Sequence, residues 1–158
     1  MLHWDNITVG TRIPELVVCP SHMQVFMFSA VTWNRHHIHY SKDAAVREGL
    51  PDVVVQRALI GNFLARLLTN WVGDVTALCR LEWKVTRSAV PGEEIICRGE
   101  VTEKTESDRR RCVVCEVTAS KRTGETIASG NATVALGMDS EAESTSDERI
   151  RLKAGVLR

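Results

Sequence analysis

The sequence predicts an α+β fold in which one long helix lies in the curve of a twisted antiparallel sheet. Three observations carry this expectation. From about Val53 to Val72, the residues Leu59, Ile60, Phe63, Leu64, Leu67, Leu68 and Trp71 recur at three- and four-residue spacing, the pattern of a broad apolar stripe on one helix. After Gly73-Asp74 the period changes to two, with Cys79, Leu81, Trp83 and Val85 alternating with Arg80, Glu82, Lys84 and Thr86. Three long strand-like runs with short connections then follow, which implies an antiparallel meander, and the helix buries its stripe only by packing against that sheet.

The elements read as follows along the chain. Pro20 and Ser21 mark a turn, and Met23 to Phe28 read as a short strand. A helical section begins near Ser29 and is interrupted by a histidine-rich stretch. Asp43 to Arg47 form one or two helical turns, with Gly49 of Glu48-Gly49-Leu50-Pro51 as the stop signal. The long helix and the strand around Cys79 to Val85 come next. Val90-Pro91-Gly92-Glu93 is a turn, Ile95 to Thr102 a strand, Glu103 to Arg111 a charged loop, and Cys112 to Ser120 another strand. Lys121-Arg122-Thr123-Gly124-Glu125 is a hairpin turn before the last strand, Thr126 to Leu136. One domain over residues 1–137 is expected. From Met138 the composition turns to Asp, Ser, Glu and Thr, so residues 138–158 are expected to form a mobile polar tail.

Composition excludes several function classes. At 158 residues, 44% hydrophobic and 25% charged, the chain supports a real core. Twenty basic against twenty acidic residues give no net charge, hence no long-range attraction for nucleic acid or an anionic membrane. No apolar run approaches a membrane span, and Met1-Leu2-His3-Trp4-Asp5 lacks the features of a signal peptide, so a cytoplasmic protein is expected. The five cysteines, an odd number in otherwise apolar segments, suit reduced thiols better than a disulfide framework. Cys112-Val113-Val114-Cys115 is a metal or redox motif in form only, because positions i and i+3 of a strand point to opposite faces.

The densest chemistry lies in Thr32-Trp33-Asn34-Arg35-His36-His37-Ile38-His39-Tyr40, which holds three of the five histidines. Imidazole is the side chain best suited to moving protons near neutral pH. A zinc site of His36, His37 and His39 is the competing idea, but adjacent residues diverge and no nearby carboxylate or cysteine completes a tetrahedron, so no metal is expected. This stretch, with Phe26 to Val31 before it, Glu48-Gly49-Leu50-Pro51 and Val53-Val54-Val55 after it, and Trp4 to Gly10 at the start, resembles the MaoC-like acyl dehydratases. These are (R)-specific enoyl-thioester hydratases of the hotdog fold.

The resemblance implies a single hotdog domain over residues 1–137 and a thioester of coenzyme A or a carrier protein as substrate, with no further cofactor. It also implies pairing as a homodimer or with another hotdog chain. The family motif Asp-x-Asn-Pro-hydrophobic-His, laid on this sequence, puts His39 at the catalytic histidine, Ile38 at the hydrophobic position, His37 at the proline and His36 at the asparagine. Asn34 falls at the catalytic aspartate. The family's His-Gly pair at the start of the long helix is replaced by Gln56-Arg57. On this reading Asn34 and His39 are catalytic, Val55, Gln56, Arg57 and Ala58 line the thioester, Asn62 faces the substrate channel, and Tyr40 packs and anchors beside them.

His39 has the basicity for the proton transfer, whereas Asn34 orients water without being able to take its proton. Backbone N–H groups at the helix start supply the oxygen hole, and Arg57 adds a cation that is either a contact for a substrate carboxylate or phosphate, or a solvated side chain. The expected activity is therefore a hydro-lyase acting on an acyl thioester. A non-catalytic hotdog subunit paired with an active partner is the alternative. A hotdog thioesterase is disfavoured because no Glu or Asp occurs from Val53 to Val72.

Overall fold

A computed structural model describes residue 2, residues 4–107 and residues 110–138. Eight elements of regular structure follow one another: β1 (Arg12–Val18), α1 (His22–Thr32), α2 (Lys42–Arg47), α3 (Arg57–Val72), β2 (Leu78–Val85), β3 (Ile95–Ser107), β4 (Arg110–Lys121) and β5 (Thr126–Met138). The strands form one sheet in the order β1-β3-β4-β5-β2, with every neighbouring pair antiparallel. Thus β3, β4 and β5 are the predicted meander, and β1 and β2 are its edges.

The long helix is the core of the molecule. Leu59, Ile60, Phe63, Leu64, Leu67 and Leu68 are all buried on α3, and the helix touches all five strands. Five strands span roughly 19 Å at ~4.8 Å spacing, whereas a helix is only ~10 Å wide, so the sheet must curve around it. Each of these large side chains contributes about 1.5–3 kcal/mol through burial. Gly61 permits one close contact, because a Cβ there would collide with the Trp83 ring. At the far end Gly73 stops the helix in the left-handed conformation (φ 78°), a region that favours glycine.

Three sequence expectations are corrected. Met23 to Phe28 belong to α1 rather than to a strand. Ser21 caps that helix by accepting from Gln24 N at 3.1 Å, and the buried residues Val25 and Ser29 are four apart, which is helical spacing. The short apolar run by itself does not discriminate the two. Secondly, α3 begins at Arg57, not near Val53. The β-branched run Val53–Val55 lies outside any helix, with Val54 N donating to Ile38 O (3.0 Å) and Val55 N to Ala89 O (2.8 Å).

The described residues of the charged stretch from Glu103 to Arg111 are strand rather than loop, since β3 continues to Ser107 and β4 starts at Arg110, pairing Glu103 with Val114 and Glu106 with Arg111; residues 108 and 109 lie outside the described residues. There the strands run past the core, so the sequence shows charge where the ladder still holds. Arg111 Nε meets Glu106 Oε1 at 2.7 Å across that pair. The sequence reading assigns no element to β1, because Pro14 interrupts it. Its pairing with β3 shifts register between Ile13 and Leu16, and an edge strand tolerates proline at such a bulge.

Other expectations hold. The turn at Val90–Glu93 closes with Glu93 N on Val90 O, and Lys121–Glu125 with Lys121 N on Glu125 O at 2.8 Å. The alternation of β2 holds from Leu81 on, while Cys79 is out of phase at a register shift between Leu78 and Arg80. All five cysteines are free; Cys97 and Cys115 are buried, Cys112 is partly exposed, and Cys19 and Cys79 are exposed. The tail is expected over residues 138–158; Met138 instead ends β5, and residues 139–158 lie outside the described residues. No helix of the described residues is long and apolar enough to cross a membrane.

Candidate active site

The histidine-rich stretch is the connection between α1 and α2, and local hydrogen bonds shape it residue by residue. Helix α1 ends at Trp33, the one non-glycine among the described residues with positive φ (55°). That left-handed step turns the chain so that Asn34 N donates back to Ser29 O at 3.0 Å. The Asn34 side chain then closes a turn of its own, its Oδ1 accepting from His36 N at 3.2 Å. Its amide nitrogen Nδ2 is left with two donors. Residues His37–His39 form a single 3₁₀ turn, and Tyr40 braces the segment by donating its hydroxyl to Arg35 O at 2.9 Å.

His39 is partly buried and tied to the chain ahead of α3. Its Nδ1 lies 2.8 Å from Val54 O, and a carbonyl only accepts, so Nδ1 carries the proton. Nε2 is therefore the basic nitrogen. Burial pushes the His39 pKa below its ordinary value of 6.5, the hydrogen bond to Val54 opposes this, and the neighbouring His36 lowers it further. The imidazole is neutral at pH 7, which is the form a general base needs. His36 and His37 are exposed, with the His36 ring 6.0 Å from that of His39 and the His37 ring 5.4 Å from Tyr40.

The start of α3 is uncapped. Gln56 occupies the cap position and makes no capping bond with its side chain, so among the described residues the N–H groups of Arg57 and Ala58 have no acceptor. They carry the positive end of the helix dipole and suit an oxygen that gathers negative charge. The N–H of Val55 is already taken by Ala89 O. The Gln56 side chain is 1% exposed and turned toward α1, where Nε2 donates to Val25 O at 2.7 Å and to Ser29 Oγ at 2.8 Å.

Arg57 is exposed, and its guanidinium is held on the protein itself. Nη2 donates to Trp83 O at 3.0 Å and the cation lies 5.8 Å from the Trp83 ring centroid, while Trp83 Nε1 donates to Arg57 O at 3.1 Å. The backbone N–H of Arg57 stays open because the side chain swings toward β2. Ala58 and Asn62 lie on the exposed face of α3, one turn apart. Beside the motif, Asn34, Arg35 and Tyr40 line a cavity of about 170 Å³ with Phe26, Ser29, Ala30 and Trp33 of α1 and its cap.

Hydrogen bonds thus tie His39 to Val54, three residues ahead of α3, and tie both Asn34 and Gln56 to Ser29 of α1. Sequence reasoning missed Ser29, Val54 and Trp83. Ser29 carried a signal, being the one polar residue in the run Val25–Val31. Val54 acts through its carbonyl, which no side-chain pattern reveals.

Comparison with known proteins bears on the fold and the family. The chain superimposes on a MaoC-like dehydratase with a TM-score of 0.79 at 23% identity, covering 85% of this chain and 42% of that one. For the R-hydratase PhaJ1 of Pseudomonas aeruginosa the TM-score is 0.76 at 16% identity, covering 87% and 86%. For the ChsH1–ChsH2 complex of Mycobacterium tuberculosis it is 0.73 at 17% identity, covering 82% and 98%. At these identities the likeness establishes the hotdog fold. A comparison with curated protein sequences gives no match. The sequence model of the hydroxyacyl-thioester dehydratase type 2 family matches residues 10–91, more than half of the chain. The chain belongs to that family, among the MaoC-like hotdog dehydratases and hydratases.

Proposed function

We propose that this chain is a hydro-lyase that adds water to, or removes it from, the α,β-position of an acyl thioester of coenzyme A or a carrier protein. The observation that carries the proposal is the tautomer of His39, whose Nδ1–H is committed to Val54 O and whose Nε2 is left as a base. In hydration, Nε2 takes a proton from water as the water oxygen bonds to the β-carbon. The displaced π-electrons pass to the thioester oxygen, where the open N–H groups of Arg57 and Ala58 hold the charge. The imidazolium then returns a proton to the α-carbon, the carbonyl re-forms, and one base has served both transfers. In dehydration the order reverses, and the Asn34 Nδ2–H groups donate to the departing hydroxyl oxygen. An amide with its oxygen already bonded to His36 N suits that donor role.

A second reading rests on the same Asn34. A site without the motif's carboxylate fits a subunit that supports an active hotdog partner, and β2 offers an unpaired edge on which a second sheet adds. One of the structural neighbours is a complex of two chains. Both readings are separated by purifying the chain alone and following hydration of a panel of trans-2-enoyl thioesters. Turnover by the chain alone supports the enzyme. Turnover only after a second hotdog chain is added supports the subunit, and no turnover in either case removes the hydro-lyase assignment.

A further inference from the structure

We infer that Gln56 is the positioning residue that fixes the Asn34 end of the motif against the start of α3. The catalytic arm of this inference rests on the hydro-lyase reading; the structural arm stands on its own. The run Val54 to Gln56 bonds the histidine-rich stretch through Val54 and the helix before it through Gln56. At one end Val54 O takes the proton of His39 Nδ1 (2.8 Å) and Val54 N donates to Ile38 O (3.0 Å). At the other, Gln56 Nε2 uses both its hydrogens on α1, one on Val25 O and one on Ser29 Oγ. Ser29 in turn accepts the N–H of Asn34 on its backbone oxygen at 3.0 Å. Gln56 and Asn34 therefore bond the same residue, Gln56 through the Ser29 hydroxyl and Asn34 through the Ser29 carbonyl.

Three features make this more than packing. Val25 O can only accept, so the orientation of the amide is fixed, with nitrogen toward α1. Gln56 Oε1 is buried without a partner, a penalty that a methionine or leucine would avoid. The residue also stands at the helix cap yet does not cap, which leaves the N–H groups of Arg57 and Ala58 open for a ligand oxygen. The same side chain thus joins α1 to α3 and keeps the oxygen hole clear.

The test uses the full chain with Gln56→Met, which keeps the volume and removes both donors. By amide hydrogen exchange, the Asn34 N–H should exchange about tenfold faster or more, as expected for losing two buried hydrogen bonds, while the Val54 N–H should keep its protection. Equal acceleration of both, or of neither, overturns the inference. Should Gln56→Met fail to fold, Ser29→Ala removes one of the two bonds and must give the same pattern at smaller size. In the kinetic arm, Gln56→Met should lower kcat about tenfold with KM unchanged, and should have no further effect in an Asn34→Ala background. Additive losses overturn it. If the wild type has no turnover, the hydro-lyase reading fails while the exchange pattern still decides the role of Gln56.

Discussion

Replacing Asn34 with aspartate asks whether the site has one proton-transfer group or two. The substitution is isosteric, so Oδ1 keeps the hydrogen bond from His36 N and the turn survives. Two electrostatic effects oppose each other. Asn34 follows the cap of α1, where the negative end of the helix dipole costs a carboxylate about 0.3–1 kcal/mol. Against that, the bond from His36 N becomes charge-assisted and rises from about 0.5–1.5 to about 1.5–3 kcal/mol. The net change stays within about 1 kcal/mol, so Tm should move by less than about 4 °C in a chain of this size. Activity should change much more. A positioned general base contributes about 10²–10⁴-fold, and even after allowing for partial exposure the rate of enoyl-thioester hydration should rise at least about tenfold. The new charge near His39 should also raise the acid limb of the pH–rate profile. The reasoning is refuted if Asn34→Asp is folded, with Tm within a few degrees, and neither its rate nor its acid limb moves.

Other consequences concern stability and reactivity. Because His39 has a lowered pKa in the folded state, the unfolded chain binds more protons between the folded value and about 6.5; stability should fall as pH drops below about 6.5, and His39→Gln should flatten that part of the curve in urea titrations. An unchanged slope would contradict the burial of the imidazole. Leu64→Ala, at a position with no exposed surface on α3, should lose about 2–5 kcal/mol in the same assay, and a loss below 1 kcal/mol, on the order of a surface change, would mean that α3 is not the core helix. Burial pushes the thiol of Cys97 up to about 12 and that of Cys115 up to about 11, so a thiol reagent at mildly alkaline pH should label Cys19 and Cys79 in the native protein and reach Cys97 and Cys115 only in denaturant. Peptide mass analysis reads this directly.

What the sequence made legible was whatever depends on repeated burial. The stripe from Leu59 to Leu68 and the alternation from Leu81 to Val85 each repeat a contact with the core, and repetition survives local noise. What it concealed depended on single events. Pro14 disguised β1 because one bulge accommodates it, and Ser21 turned an apolar run into α1 through one cap. Past the core, Glu103 to Ser107 and Arg110 to Arg111 carried loop-like charge while the ladder continued. At the site, the order of residue types from Asn34 to His39 pointed to the motif by resemblance, but the bonds that give it chemistry were out of reach. Val54 contributes a carbonyl, the start of α3 contributes N–H groups, and Gln56 contributes an amide directed away from where a substrate contact was expected. Backbone groups are the same in every residue, so composition and spacing do not announce them.

In the proposed reaction His39, through Nε2, moves the proton in a water addition or elimination. The most direct measurement is the initial rate of trans-2-enoyl thioester hydration by the wild type and by His39→Gln, each verified as folded by its thermal transition. Turnover by the wild type and a loss of about 10²-fold or more in the variant are expected. A His39→Gln protein that hydrates the same thioester at a rate within about twofold of the wild type, a difference worth less than ~0.5 kcal/mol of barrier, would contradict that role.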